Sequence, residues 1–477
     1  MITRETKRTA SRPRRLTSIA LAAGFGLFLG LYPSAARGGG GLGDPLAGGV
    51  PGAAPEEPIQ LTLQEAVRRG LEQNLALVLG REQVRAASGA RKAARSRLYP
   101  HLEATVADSR NTINLEAYGF PVPDGESPLI GPFDVFDVRA AVAGPIVDLS
   151  LWAGARAATR AAEAADATLE DIRDQVVLAV SRLYLQAVAA ESRISAARAD
   201  VDTALALHQQ AVDMKAAGVV PAIEVLRTEV QLASERERLI IASNDAATSK
   251  LALERAVGLP LDAQVTLSEP LRYSPPPAID VDEALARALG HRADYRSARL
   301  AVDAADEALT AARDSALPSL EMLANYGKVG PTLDDALATY TVGAAVSVPV
   351  FTGGAIKARK TTASAHLAER RARLADLEAR ISYEVRSALL DLEAADERAL
   401  VAQDAVRLAE SQLEQSRDRF AAGVADGVEV VQAQQAVAAA HDSQIASLFA
   451  YNLAEVGLAR ALGVAAEGLG KPLGGSS

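Results

Sequence analysis

The chain has 477 residues, no cysteine, and 50 basic against 60 acidic residues, a formal net charge of −10. The lack of cysteine excludes disulfides, thiolate metal sites, cysteine nucleophiles and a lipid attached through cysteine. The acidic balance argues against nucleic acid as a partner, and the 4% of aromatic residues suits closely spaced helices better than a broad globular core.

Arg4, Lys7, Arg8, Arg12, Arg14 and Arg15 precede an apolar stretch from Leu16 to Tyr32, and Ser34-Ala35-Ala36 offers small residues for cleavage. Residues 1–36 therefore read as a secretory signal peptide. Without them the chain keeps 44 basic and 59 acidic residues, a net charge near −15. No other run reaches the roughly 18 apolar residues of a membrane-spanning helix. Residues 37–58, mostly Gly, Pro and Ala, read as a disordered linker.

A first structural repeat is expected over 59–262. Thr62-Leu63-Gln64-Glu65 resembles a capping box, with Thr62 as N-cap and Glu65 reaching back. A helix of about 35 residues should run from there to Arg97, stopped by Tyr99-Pro100. The period then changes to two. Leu102, Ala104 and Val106 share one face, and after a Pro/Gly-rich loop around 119–132 so do Phe136, Val138, Ala140 and Val142. Strands of about 10 residues are long enough to cross a bilayer when tilted. Trp152, at the end of the second strand, fits an interfacial anchor.

A long helix follows over 152–217. Gly218 ends it, and a returning helix runs to Val257 and Gly258. After a connector at 263–278, a second repeat spans 279–465, and a Gly-rich tail covers 466–477. In this repeat Pro318 echoes Pro100, Pro349 echoes Pro145, and Gly423 echoes Gly218. Leu320, Met322, Ala324 and Tyr326 mark a third strand, and Tyr340, Val342, Ala344, Val346 and Val348 a fourth.

The second long helix, over 355–422, carries a seam with steps of four and three: Ala388, Leu392, Ala395, Ala399, Ala402, Val406, Ala409, Leu413, Ser416 and Phe420. That is coiled-coil spacing. The same seam lies 205 residues earlier, from Leu183 through His208 to Lys215. A helix of about 66 residues is about 100 Å long. The two kinds of shorter helix add up to one long helix, so stacked end to end they can pair along its length. Four strands cannot close a barrel, and an open sheet in lipid leaves unpaired backbone groups costing several kcal/mol each. If the strands lie in a membrane, several chains must share one barrel.

Leu63-Gln64-Glu65-Ala66-Val67, Pro349-Val350-Phe351-Thr352-Gly353-Gly354 and Arg419-Phe420-Ala421-Ala422-Gly423, in this order on a duplicated layout over about 59–464, resemble the outer membrane efflux family, the TolC-like channels. The resemblance implies a mainly α fold with a membrane β-barrel, built from a duplicated helix–β-hairpin–long helix–turn–helix unit. It implies a homotrimer with a twelve-stranded barrel in outer membrane lipid and a twelve-helix tunnel in the periplasm. It further implies a passive conduit for efflux or type I secretion, docked to a periplasmic adaptor (membrane fusion) protein and an inner membrane transporter. No cofactor is implied.

By the same resemblance the helical turns are the adaptor-docking tips, with Lys215, Gly218, Val219 and Val220 in the first and Arg419, Gly423, Val424 and Ala425 in the second. Each glycine is equally an ordinary helix terminator. The family's pore constriction falls on Glu224, Phe420, Glu429 and Gln432. Glu224 and Glu429 each sit six residues past the tip glycine. They are either first-turn acids stabilised by the helix dipole or a ring of carboxylates favouring cations. The second acidic position of the family is Gln432 here, a tyrosine position is Phe420, an arginine position is Ala425, and its hydroxyl partner is Ile223. Phe420 is accordingly expected to act as an apolar plug.

The five histidines lack metal-ligand spacing, and His208 on the seam reads as a packed residue. No nucleophile elbow or phosphate loop occurs, so nothing points to an enzyme. A periplasmic coiled-coil spacer or adaptor without a pore is the alternative. It accounts for the helices and leaves four bilayer-length strands unexplained.

Overall fold

A computed structural model describes residues 48–50, 58–123, 125–276 and 278–465. The expected leader at 1–36 and the tail at 466–477 lie outside the described residues, as does most of the 37–58 linker. The part of that linker that is described is held in place. Gly49 N–H donates to Arg255 O (2.6 Å), Val50 N–H to Gln73 O (2.8 Å), and Leu75 N–H to Gly48 O (3.0 Å).

The first half runs β1 (Ile59–Leu61), α1 (Leu63–Gln73), α2 (Leu75–Ser96), β2 (His101–Asn114), β3 (Leu129–Val147), α3 (Leu149–Ala216) and α4 (Ala222–Ala256). The second half runs β4 (Val265–Leu267), α5 (Val281–His291), α6 (Ala293–Asp314), β5 (Ser319–Gly330), β6 (Leu337–Ser347), α7 (Ala355–Ala421) and α8 (Gly427–Ala461). The two long helices have 68 and 67 residues, close to the expected 66, and each is about 100 Å long. Among the described residues no helix is long and apolar enough to cross a membrane.

Four details differ from the sequence reading. The expected helix over 62–97 is two helices. Asn74 leaves helical dihedrals (φ −62°, ψ 132°), and its side chain caps α2 by accepting from Ala76 N–H at 2.9 Å. Arg292 makes the matching break between α5 and α6. The capping box is only half formed: Glu65 N–H donates to Thr62 Oγ1, while the Glu65 carboxylate turns to Arg68 and Arg69. Trp152 lies in the first turn of α3, where its N–H donates to Asp148 O, and not in a strand. Finally, β1 and β4 form a parallel pair, which three-residue strands gave no periodicity to reveal.

The hairpin strands form one antiparallel sheet in the order β2-β3-β5-β6. Its strands have 14, 19, 12 and 11 residues, all longer than the expected 10. Among the described residues both edges, β2 and β6, are without a further strand. The helices repeat this arrangement. α3 packs on α2 and α4 at one side and on α6 and α8 at the other, and α7 packs on α6 and α8. The layer is thus four helices wide, bounded by α2 with α4 at one edge and by α7 at the other.

Apolar burial is divided among three places along this layer. One core joins Leu61, Val67 and Leu77 to Val176, Val180 and Tyr184 of α3, with the Tyr184 hydroxyl donating to Leu61 O at 3.2 Å. A second joins Ala284 and Ala288 to Ile381, Val385, Tyr451 and Leu458, and here Tyr273 stacks tilted on Tyr451 with ring centroids 5.2 Å apart. The third lies at the far end of the helices and includes Leu207, Leu413, Phe420 and Val430.

Candidate functional site at the helical tips

The two interhelical turns are built alike. At the end of α3, Gly218 takes φ 73°, its N–H donates to Lys215 O (3.0 Å), and Val219 N–H donates to Met214 O (2.9 Å). At the end of α7, Gly423 takes φ 71°, its N–H donates to Phe420 O (3.0 Å), and Val424 N–H donates to Arg419 O (3.0 Å). Each is a Schellman motif, in which a left-handed glycine lets the chain satisfy the last helical carbonyls. Glycine is therefore required at both turns by backbone geometry.

The turns leave an apolar knob at each tip. Val219 is 60% exposed and Val424 69%. Lys215 and Arg419 flank them and are exposed, as are Gly218 and Gly423, while Val220 and Ala425 are half-buried.

The four constriction residues do not share one environment. Gln432 is exposed and Glu429 half-buried. Glu429 stays within its own hairpin: Asp426 caps its backbone N–H at 3.2 Å, Arg419 Nε lies 3.5 Å from Glu429 Oε1, and Ser416 Oγ donates to the same oxygen at 3.5 Å. Glu224 is only 6% exposed. Its Oε1 accepts from Arg227 Nη1 at 2.5 Å, and its Oε2 is buried without a hydrogen-bond partner. That oxygen faces Gly427, the first residue of α8, and a β-carbon added there would lie 2.3 Å from it. In the first repeat the matching position, 205 residues earlier, is Ala222. The duplicated glutamates thus diverge because one of them meets a glycine on the opposite hairpin.

Phe420 is not a plug. It is 3% exposed and packs within the chain against Leu207, Leu413 and Val430. The seam position that placed it at the tip also turns it inward. His208 is half-buried, not a core residue, and its Nδ1 lies 3.1 Å from Thr228 Oγ1.

A polar layer lies above this apolar cluster. Gln435 Nε2 donates to Gln231 Oε1 (3.2 Å), Gln231 Nε2 donates to Glu235 Oε1 (2.5 Å), and Gln434 Nε2 donates to the backbone oxygen of Asp200 (3.2 Å). These bonds tie α3, α4 and α8 together. Burial, reinforced by the nearby Glu235 carboxylate, pushes the Asp200 carboxyl up to about 6. The sequence carried a signal for this layer: Glu224, Thr228, Gln231 and Glu235 follow steps of four, three and four on α4, and all four are buried.

Farther up, an open groove of about 840 Å³ runs between α3 and α7 over the end of α8. Its charges are largely paired. Arg292 donates to Asp294 (2.7 Å) and Glu384 (2.6 Å), and Arg460 pairs with Asp171. Burial raises the Asp171 carboxyl despite Arg460. Among the described residues no group of His, Asp and Glu is arranged to hold a metal ion.

The family described as outer membrane efflux protein matches the chain at residues 66–259 and 284–464, one segment in each repeat. Among curated proteins, the chain is similar to the pyoverdine export outer membrane protein OpmQ of Pseudomonas aeruginosa strain PAO1. The two are 25% identical over 421 residues, covering 84% of this chain and 85% of that one. Among solved structures, the outer membrane protein VceC of Vibrio cholerae superposes with a TM-score of 0.74 at 20% identity, covering 84% of this chain and 96% of that one. The open state of the Neisseria gonorrhoeae MtrE outer membrane channel gives 0.72 at 19% identity, covering 84% and 89%.

Proposed function

We propose, on the premise that this chain belongs to the outer membrane efflux protein family, that three copies form a passive conduit leading from the periplasm to the exterior. The observation that carries this reading is the pair of open edges. β2 with α2 and α4 bounds one side of the chain, and β6 with α7 bounds the other. An edge that differs from its counterpart joins head to tail, and head-to-tail contacts close into rings.

The helical edges carry apolar residues on the faces turned away from the chain's own core. Ile223, Leu226, Val230 and Ile240 are exposed on α4, and Tyr383, Leu390, Val401 and Leu408 on α7. Two copies would close eight strands, a barrel whose interior is filled by its own side chains. Three copies close twelve, the smallest multiple of four that leaves a lumen. The same ring sets twelve helices side by side below the membrane.

The tips then stand at the periplasmic entrance, where Val219 and Val424 offer apolar knobs to a periplasmic adaptor and through it to an inner membrane transporter. Pyoverdine, the cargo in the name of the relative from Pseudomonas aeruginosa, is one candidate for transport. Native mass spectrometry of the detergent-extracted protein, together with planar-bilayer recording, tests the reading. A three-subunit particle that conducts is expected, and a monomer without conductance overturns it.

A further inference from the structure

Asp200 of α3 is nine-tenths buried, and Glu235 of α4 is wholly buried beside it. Glu235 is served by Gln231 and by Arg238, whose Nη1 lies 3.3 Å from each carboxylate oxygen. Asp200 accepts no side-chain hydrogen bond among the described residues, although Gln434 of α8 holds its backbone oxygen. The Oε1 of that same Gln434 is buried and has no donor. Two buried acids thus share the layer that Gln434 bonds to the α3 backbone, and a proton on Asp200 would remove their mutual repulsion.

We propose that Asp200, Glu235 and Gln434 form a proton-sensitive joint between the first helical hairpin and α8. The joint is tight when the Asp200 carboxyl is protonated and loose when it is ionised. It lies 18 residues above Gly218 on α3, or about 27 Å from the tip, so loosening it frees the lower ends of both hairpins.

The surroundings fix the sign. From α4, Glu235 opposes ionisation of Asp200 and Arg238 favours it; from α8, His441 favours it and Asp442 opposes it. His441 Nε2 in turn faces Glu410 of α7 at 3.3 Å, and Asp442 faces Arg193 of α3 at 3.9 Å. Burial and Glu235 prevail, so the folded-state carboxyl binds its proton more tightly than an unfolded aspartate. Its stabilising contribution is complete below the ordinary aspartate range and is lost as pH rises through about 6.

Hydrogen–deuterium exchange of the full chain in lipid, corrected for the intrinsic chemical rate, tests the joint at pH 5.0 and 7.5. The wild type should exchange on the order of tenfold faster at pH 7.5 around 198–204, 231–238 and 434–441, each unit of pKa shift being tenfold. The upper part of α3 around 176–188 should not change. Asp200→Asn keeps the tight state at both pH values. Glu235→Gln, which removes the opposing charge, moves the midpoint below that of the wild type and serves if Asp200→Asn does not assemble. Equal corrected exchange at the two pH values in the wild type, or a pH effect that survives in Asp200→Asn, overturns the proposal. The readout requires neither conductance nor an adaptor, so its failure is separate from failure of the channel reading.

Discussion

The Glu224 carboxylate lies against the backbone of Gly427, with its Oε2 where a β-carbon on Gly427 would be 2.3 Å away. The contact joins the two helical tips of one chain: Glu224 stands in the first turn of α4, and Gly427 opens α8. An acid at a helix start is favoured by the exposed N–H groups there.

Gly427→Ala should part the tips. The new methyl group must push Oε2 aside. Because that oxygen ends a flexible side chain, restrained only by burial and by Arg227, the cost reaches at most about 1–3 kcal/mol, that of overpacking. That corresponds to at most roughly five- to hundredfold in a closed-to-open ratio, each 1.4 kcal/mol being about tenfold. Planar-bilayer recording should therefore find larger or more frequent openings than in the wild type. A variant that conducts as the wild type does would remove Gly427 from any role in holding the entrance.

Phe420→Ala should loosen the tips from within. Phe420 is buried among Leu207, Leu413 and Val430, and truncating a buried phenylalanine costs about 3–5 kcal/mol. Lys215 and Arg419 are exposed beside the turns, so tryptic cleavage there reports local opening. Cleavage should accelerate at least tenfold in Phe420→Ala and little in Phe420→Leu. Unchanged cleavage in Phe420→Ala would mean that this cluster does not hold the hairpins together.

Much of this arrangement is legible in the residues themselves. Steps of four and three from Ala388 to Phe420 mark the second long helix, and the copy 205 residues earlier marks the first. Alternation at Leu102, Ala104 and Val106 marks a strand. The helix break at Asn74 is hidden because the apolar pattern continues through it, from Leu71 to Leu75 and Leu77, and asparagine is not an obligate breaker. β1 and β4 are three residues each and meet across 206 positions, beyond any local signal. Glu224 and Glu429 match by spacing but not by environment, since burial of the first depends on a glycine facing it from another helix.

Assembly should fail when the α7 edge is charged. Among the described residues Leu390 and Val401 are 65% and 70% exposed on α7, open to the α4 edge of a neighbour in the proposed ring. Leu390→Asp with Val401→Asp would place two carboxylates in that contact, where unpaired buried charge is costly. If three copies assemble as proposed, size-exclusion chromatography with light scattering should show monomers in place of the wild-type trimer. Trimers of ordinary stability in the double variant would place the subunit contact elsewhere.

Trp152 is the sole tryptophan of the chain. It is 54% exposed in the first turn of α3, just below the end of β3. An amphipathic ring at that level belongs at the membrane–water boundary. In reconstituted protein its fluorescence should be quenched most by lipids brominated near the headgroup and least by those brominated near the chain end. Weak quenching by both lipids, or equal quenching by the two, would put the boundary away from the strand-to-helix junction.

Arg292 supplies the buried cation at the break between α5 and α6. It binds Asp294 through two nitrogens, at 3.0 and 2.7 Å, and reaches Glu384 at 2.6 Å. Burial by itself would raise the Asp294 carboxyl, but the Arg292 hydrogen bonds and charge outweigh it and hold the group below the usual aspartate range. A carboxylate held low stabilises the fold above its unfolded pKa, and that contribution is lost only as pH falls through the folded value. The Asp294 contribution in the wild type should thus be constant between about pH 5 and 8. Arg292→Met removes the cation and leaves two carboxylates without it, a change costing about 3–5 kcal/mol near neutral pH. Burial then raises Asp294, so the sign of its linkage reverses. Thermal unfolding of the variant should become easier as pH rises from 5 to 8, while the difference from the wild type shrinks toward pH 5. A loss of stability that is the same at every pH in this range would show that Arg292 acts through packing of its side chain and not through its charge.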